Sequence, residues 1–276
     1  MSASSKSHDM LQRGRACAAQ KGVALLLVLW IVAALALLTA SVGHSVRQEA
    51  KMAQMQRHVL QGRALGEAAI YIALKQQLEV QRTLAGAEWQ QEKVTLPSGH
   101  VVSVEMAPWN GLVNINSASA GVLEALLTQA ASAPQSAARQ LAQSIVDERE
   151  KRISSRMPEW ESVEDLLQIP SMNYAWFLAI RPHAVANASS QRGFHAAAAP
   201  EPLRSWLRNA ASTDMVSGAG ATNLYRFWAV VETGGEGQVV VERDVLLRAP
   251  GTQYLPWAVI SARQIWSPNT HSRNAL

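Results

Sequence analysis

The stretch VALLLVLWIVAALALLTASVG, residues 23–43, contains 21 residues and no charged, proline or amide side chain. As a helix rising about 1.5 Å per residue, it is long enough to cross about 30 Å of hydrocarbon. The residues before it carry four basic side chains and one acidic one: Lys6, Arg13, Arg15 and Lys21, against Asp9. Because basic flanks stay on the cytoplasmic side, the sequence predicts a single-pass membrane protein whose later residues lie across the membrane.

The basic character of the chain is concentrated at its start. The formal net charge is +4 and the sequence pI is about 9.5, but residues 1–22 account for +3 of that charge. The only cysteine, Cys17, also lies there. If residues 1–22 are removed, the remaining chain is nearly neutral and has neither a disulfide nor a cysteine metal site.

The apolar stretch has three alternative fates. A secretory signal peptide would be cut after it, at small residues such as those at 41–43, and a signal anchor would not be cut at all. In the third alternative the chain is cut before the stretch, after Gly22. Val23 then becomes the N-terminus and the apolar helix is retained.

The sequence Lys21-Gly22-Val23-Ala24-Leu25-Leu26-Leu27 resembles the processing site of type IV pilins and type II secretion pseudopilins. The resemblance implies that a prepilin peptidase cuts after Gly22 and that Val23 becomes the methylated N-terminus. Most members of the family carry Glu at the fifth mature position, where this chain has Leu27. The minor pseudopilin K family of the type II secretion system lacks this Glu, and the resemblance implies a place at the pseudopilus tip.

Helical patterning continues beyond the predicted span. Residues 44–85 contain no proline, are rich in helix-forming residues, and have apolar residues at spacings of three and four. We therefore expect one helix over 23–85, half in lipid and half packed on a folded head. The alternative is a membrane anchor followed by an independent stalk, but the pattern lacks a sustained heptad.

The rest of the chain alternates between strand and helix patterns. Residues 86–112 predict the first strands, including a hairpin over 93–106; residues 113–192 predict short helices, 193–222 a loop or linker, and 223–276 returning strands. This order predicts an α+β fold in which an all-helical domain is inserted into a pilin-like antiparallel sheet, although two tandem domains would give the same order. The minor pseudopilin K family is similar in having such an insertion.

One motif within the helical part suggests DNA. Residues 111–118, GLVNINSA, resemble the opening of helix-hairpin-helix (SAM-like) modules, with Val113 and Ile115 directed to the core and Asn116 or Ser117 capping the next helix. However, no glycine follows Pro170, where such a module would offer backbone amides to a phosphate, and residues 147–165 carry mixed charges. Nucleic acid is therefore not the expected partner, and a membrane-anchored DNA receptor is the alternative function.

No other catalytic or cofactor motif is present in the sequence. It has no nucleophile elbow, phosphate-binding loop or dinucleotide fingerprint, so we expect neither an enzyme nor a bound cofactor. The acidic residues within 147–165 have oxygen ligands of the kind calcium takes, but a solvated surface is the favoured interpretation and no metal ligand is assigned. The resemblance implies other partners: further minor pseudopilins, the prepilin peptidase and the inner-membrane assembly platform. It also implies an inner-membrane protein with a cytoplasmic N-terminus and a periplasmic head.

Overall fold

The computed structural model describes residues 7–81, 88–186, 194–208, 210, 222–233, 237–248 and 255–268; within the first range, it describes the side chains of residues 24–37 and 47–79. The chain divides into two compact units, Met1–His58 and Val59–Leu276. The predicted helix end at 85 and part of the predicted linker lie outside the described residues.

The first unit is helical. Helix α1 spans Ser7–Gln81 and therefore continues into the second unit. Residues 24–37 expose their side chains, all of them apolar. Among the described residues, no helix combines the length and the hydropathy required to cross a membrane. The side chains of residue 23 and of residues 38–43, which belong to the predicted span, are outside those described.

The second unit combines the later part of α1 with helices and strands. In chain order these are β1 (Gln90–Thr95), β2 (Val101–Pro108), β3 (Val113–Asn114), α2 (Ala120–Ala130), α3 (Gln135–Ser154), α4 (Tyr174–Ile180), β4 (Ala184–Val185), α5 (Glu201–Leu207), β5 (Leu224–Thr233), β6 (Gly237–Leu247) and β7 (Trp257–Pro268). The fold is α+β, as the sequence predicts.

Five strands form one antiparallel sheet in the order β1-β2-β5-β6-β7. The hairpin predicted over 93–106 is confirmed as β1 and β2. Gly99 lies in their turn with φ +82°, a conformation that glycine adopts without a steric penalty. Since β2 and β5 are neighbours in the sheet, every element between them in the sequence is inserted into the sheet connection.

Two separate cores lie on opposite sides of this sheet. On one side, alternate strand residues such as Phe227 and Val241 pack against Ile70 and Leu74 of α1. On the other side, Trp228 and Val240 pack against the inserted helices. This division follows from the period of two in strand side chains, which sends neighbouring residues to opposite faces.

The inserted helical block comprises residues 113–207. Within it, β3 and β4 form a two-stranded parallel ladder, which the sequence analysis did not predict. Val113 and Ile115 are buried, as predicted, within a core that includes Leu123, Leu141 and Leu166. Residues 163–168, predicted as a helix, form a 3-10 helix, whose period of three buries Val163, Leu166 and then Ile169.

The stretch predicted as a loop or linker over 193–222 is partly ordered structure. A 3-10 turn at Ala196–Ala198 leads into α5, and Leu203 and Leu207 of α5 are fully buried. Alanine, proline and serine dominate this stretch, so its helical period rests on very few large apolar residues. Those few belong to the core of the helical block.

Candidate functional site

The predicted processing and assembly positions all lie in α1. Lys21, Gly22 and Val23 are helical in backbone, and their side chains are outside those described. Leu27, at the position where most pilins carry Glu, is 57% exposed. It lies among apolar neighbours from residue 24 to 37, all of which are exposed. This exposed apolar surface requires another environment or another chain.

Two glycines bring α1 close to the sheet. A Cβ added to Gly62 would lie 2.8 Å from Val239 Cγ2, and one added to Gly66 would lie 2.6 Å from Val241 Cγ2. Both distances are below any ordinary carbon–carbon contact. Gly62 and Gly66 are therefore positions where the helix and the sheet approach each other too closely for a larger side chain on the helix.

An ion pair lies beside this contact. Arg243 of β6 donates a hydrogen bond to Glu67 of α1, and Arg63 donates to the same carboxylate over 2.9 Å. Burial would raise the pKa of Glu67, but the hydrogen bonds and charges of Arg63 and Arg243 hold that pKa below its ordinary value. The ion pair adds a second fixed point between α1 and β6 beside the glycine contacts.

The opposite face of the sheet holds a buried arginine. Arg226 of β5 forms two hydrogen bonds to Asp244 of β6, of 2.7 and 3.0 Å, and both side chains are almost fully buried. Its remaining nitrogen, Nη1, donates to the backbone carbonyls of Arg181, Pro182 and Ala184, at 2.9 to 3.2 Å. One arginine therefore binds both the neighbouring strand and the end of the helical block.

A second buried arginine comes from the block itself. Arg181, which follows α4, donates to Glu242 of β6 over 2.8 Å and to Glu164 over 2.6 Å. Glu242 also accepts a hydrogen bond from the indole of Trp228. Burial would raise the pKa of Glu164, but the hydrogen bond and charge of Arg181 leave that pKa lowered. The two arginines tie the helical block to β5 and β6 from both directions.

His183 lies between these two arginine sites and α5. Its ring meets the edge of Trp206 at a centroid distance of 5.0 Å. Burial, together with the nearby charge of Arg226, lowers the pKa of His183 to about 4. The imidazole is therefore neutral at pH 7, which suits a side chain enclosed among apolar and cationic groups.

The motif that resembles a DNA-binding module has a different local role. The cap of α2 is Ser119, which accepts a hydrogen bond from the backbone of Val122, so the prediction of Asn116 or Ser117 as cap is wrong. Asn116 instead exchanges hydrogen bonds with the backbone of Trp160, at 2.8 and 3.2 Å. The motif thus connects the base of the block to the loop before the 3-10 helix.

Backbone amides in two turns of the block already have partners within the protein. Between α2 and α3, the N–H groups of Ala131 and Ala133 both donate to the carbonyl of Leu127. After Pro170, Met172 is buried and its N–H donates to Ile169. Helix-hairpin-helix modules bind phosphate through free amides at such turns, so this geometry counts against a DNA-binding role.

Three of the seven acidic residues of 147–165 line a groove rather than surround one point. Asp147, Glu148 and Asp165 line an open groove of about 610 Å³ together with Lys151 and Arg152. Within this groove, Asp165 accepts hydrogen bonds from the backbone N–H groups of residues 161 and 162, and Glu148 pairs with both cations. Among the described residues, no group of three or more His, Cys, Asp or Glu side chains has a metal-site arrangement.

The sequence analysis did not single out the residues that hold the block to the sheet: Arg181, Arg226, Glu242 and Asp244. A signal was present, because Arg226 interrupts an apolar strand, LYRFWAVV, and residues 242–244, ERD, interrupt another, QVVVERDVLL. A charged residue in a fully apolar strand requires a partner, and the opposite charges on two adjacent strands were available to supply it.

Comparison with known proteins finds a likeness to a solved structure. No protein-family model matches the chain, and neither does any curated protein. The chain is similar to a chain in the crystal structure of the GspK-GspI-GspJ complex from the type 2 secretion system of enterotoxigenic Escherichia coli, with 10% identity and a TM-score of 0.43, over 80% of this chain and 99% of that one. A likeness at this identity and score assigns no function, so the function is judged on the residues themselves.

Proposed function

We propose that this chain is a structural minor pseudopilin at the tip of a type II secretion pseudopilus, where it starts assembly for protein export, and that it is not an enzyme. The observation that carries the proposal is a single helix, α1, with two different surfaces. Residues 24–37 are apolar and exposed, whereas residues 62–74 pack tightly on an antiparallel sheet. A subunit that assembles through its N-terminal helix and presents a folded head has this arrangement.

The membrane part of the proposal rests on sequence. Residues 23–43 anchor the chain in the inner membrane, with the N-terminus in the cytoplasm and the head in the periplasm. A charged side chain among such apolar residues is costly unless it is paired. With Leu27 in place of Glu, the chain lacks the charged group through which other pilins attract a neighbouring subunit. This agrees with a subunit that does not repeat along the filament.

The helical block supports a role for the head at the end of a filament. It is inserted between β2 and β5, and buried arginines hold it firmly against the sheet. The block adds bulk on the face of the sheet opposite α1. The proposed partners are the other minor pseudopilins, the prepilin peptidase and the inner-membrane assembly platform.

Determination of the mature N-terminus tests the processing step. When the chain is co-expressed with a prepilin peptidase, we expect a product that starts at Val23. Gly22→Leu should block cleavage, while Gly14→Leu, which changes another glycine next to a basic residue, should leave cleavage unchanged. A mature protein that starts at Met1 or at His44 contradicts the proposal.

Co-purification tests the assembly step. The full chain in mild detergent, tagged at the C-terminus, should retain the other minor pseudopilins of the same secretion system but not its major pseudopilin alone. Salt-sensitive binding of double-stranded DNA by the same preparation, without retention of pseudopilins, would instead favour the DNA-receptor alternative.

A further inference from the structure

The sheet ends in two edges of opposite chemical character. At one edge, β1 exposes Gln90, Gln91, Glu92 and Lys93, and polar or charged side chains of this kind discourage pairing with another strand. At the other edge, β7 has the sequence WAVISARQIWSP, in which Arg263 is the only charged residue. Within the described residues, β7 pairs with β6 and with no other strand. Among the described residues, no other strand covers this long, mostly apolar outer edge.

The hydrogen-bond register shows which groups face this edge. Arg248 donates to the carbonyl of Pro256 over 2.8 Å, and hydrogen-bonded pairs alternate with non-hydrogen-bonded pairs in an antiparallel ladder. The pairs Leu247–Trp257 and Val245–Val259 are therefore non-hydrogen-bonded. In agreement, the N–H of Leu247 donates to Asn223, away from β7. The N–H and C=O groups of Trp257 and Val259 consequently point outward.

Apolar side chains accompany these outward groups. The ring of Trp257 lies 5.3 Å from the ring of Tyr71 on α1. Tyr71 is 42% exposed, Val259 is 36% exposed and Leu255 is 65% exposed. A strand added beside β7 would place its alternate side chains over Tyr71 and Trp257, so it would bury apolar surface as well as form backbone hydrogen bonds.

The charges near β7 indicate which kind of partner segment fits its outer edge. From residue 245 to residue 268 the sequence contains Arg248 and Arg263 and no Asp or Glu, and Arg263 also lies 3.8 Å from the buried carboxylate of Glu242 on β6. A segment rich in Lys or Arg would meet like charge at this edge, whereas one with Asp or Glu would meet opposite charge. The edge therefore fits an extended segment with alternate apolar residues and acidic residues between or beside them.

We propose that the outer edge of β7 accepts an extended, acidic and apolar segment of a neighbouring minor pseudopilin as a sixth strand of the sheet. This inference rests on the proposed function, because it takes the neighbouring subunit as the source of the strand. The hydrogen bonds it requires are those of Trp257 and Val259, with Tyr71 and Trp257 as the apolar contact.

The test compares two substitutions at one residue in the co-purification described above. Val259→Pro removes the outward N–H, and proline is tolerated at an edge position whose N–H faces solvent. Val259→Thr retains the N–H and a β-branched side chain. We expect Val259→Pro to weaken retention of the partner by about tenfold, and Val259→Thr to leave retention near the level of the unsubstituted chain.

Hydrogen exchange on the unsubstituted chain gives a second readout that does not depend on a variant folding. The amides of Trp257 and Val259 should exchange more slowly in the complex than in the free chain. If the complex forms but these amides exchange at the same rate, and Val259→Pro retains the partner, the inference is wrong and the proposed function stands. If the unsubstituted chain retains no pseudopilin, both fail. Self-association that Val259→Pro abolishes would assign the edge to a second copy instead.

Discussion

The two faces of the central sheet combine apolar packing and ion pairs in different ways. The face toward α1 is apolar, and glycines at 62 and 66 remove the bulk that would separate helix and sheet. The face toward the helical block contains Arg226 and Asp244 within its contact and has a second arginine, Arg181, entering from the block. Both contacts bury apolar side chains, but the ion pair of the first, Arg243 with Glu67, lies beside the closest approach, whereas Arg226 and Asp244 of the second are buried within the contact.

This difference agrees with the order of the elements in the sequence. Helix α1 comes before the sheet in the chain, so a close apolar contact between them can form wherever small residues of the helix meet large residues of the sheet. The helical block leaves the sheet after β2 and returns at β5, so its position must be fixed at defined points. Buried ion pairs are poor sources of net stability but specify geometry, because an alternative arrangement leaves a charge without a partner. We infer that the block is positioned by Arg181 and Arg226.

The largest expected effect comes from breaking one of these pairs. Asp244→Asn should lower the free energy of unfolding by about 3 to 5 kcal/mol, because it leaves the charge of Arg226 buried without its carboxylate. Urea denaturation of the full chain in detergent, followed by far-ultraviolet circular dichroism, measures the change.

A double substitution tests why the pair is needed. Arg226→Met with Asp244→Leu removes both charges and should recover only part of the loss. Recovery would be incomplete because the carbonyls of Arg181, Pro182 and Ala184 lose their donor. Full recovery would mean that Arg226 does not position the block through those carbonyls.

The pH dependence of stability is the next largest effect. His183 has a pKa of about 4 in the folded chain and about 6.5 when unfolded. Between these values the unfolded chain binds a proton that the folded chain excludes, so the free energy of unfolding falls as pH falls. The expected loss is about 2 kcal/mol between pH 7.5 and pH 5.

The matched control for this effect is His183→Asn. In this variant the free energy of unfolding should change less with pH between pH 6.5 and 5. Above pH 7 its pH dependence should be the same as in the unsubstituted chain. Glu67 and Glu164 have lowered pKa values, so their contribution to the free energy of unfolding is lost mainly below about pH 4.5. They therefore do not obscure the effect of His183 between pH 6.5 and 5. An unaltered slope in His183→Asn would place the proton uptake elsewhere.

The sequence predicted the apolar face better than the charged one. Periods of two and of three to four mark the strands and α1, because burial in water selects those periods directly. The hairpin at 93–106 and the strand at 224–233 were therefore found. Arg226 and Asp244 are adjacent only across a strand pair, and Arg181 reaches them from another element. No local pattern encodes contacts of that kind.

The linker prediction failed for a related reason. Half of residues 194–207 are Ala, Pro or Ser, so the burial of this segment gives little periodic signal, yet Leu203 and Leu207 of α5 reach the core of the block. The processing positions, Lys21 to Val23, came from motif resemblance alone and remain a prediction. The sequence pattern thus predicts the fold where buried apolar area determines the structure. It does not predict the structure where single contacts between distant residues determine it.

Adjacent residues of β5 allow a direct comparison of the two faces. Phe227 is directed to α1, and Trp228 to the helical block. Trp228→Phe removes the indole donor to Glu242 and should cost about 2 kcal/mol, as for a hydrogen bond to a buried charge. Phe227→Leu conserves most of the volume and should cost about 1 kcal/mol. Equal losses in thermal denaturation would mean that the indole contributes by packing alone.

The smallest effect concerns the close contact of α1 with the sheet. Gly66→Ala would place a Cβ 2.6 Å from Val241 Cγ2, and the overpacking should cost about 1 to 3 kcal/mol. Alanine also favours the helix by up to about 1 kcal/mol, so the net loss should be near 1 kcal/mol. Urea denaturation of the full chain measures it.

Two controls separate overpacking from a general effect of alanine. Gly121→Ala in α2 adds the same methyl group where the nearest atom is 3.8 Å away, so it should not destabilise the chain. Val241→Ala combined with Gly66→Ala removes the side chain that the new Cβ would meet. If the contact is limited by shape, the pair should cost less than the sum of the two single substitutions, because the added methyl group fills part of the cavity. If the two losses of unfolding free energy simply add, the contact between α1 and the sheet accepts a glycine at position 66 but does not require one.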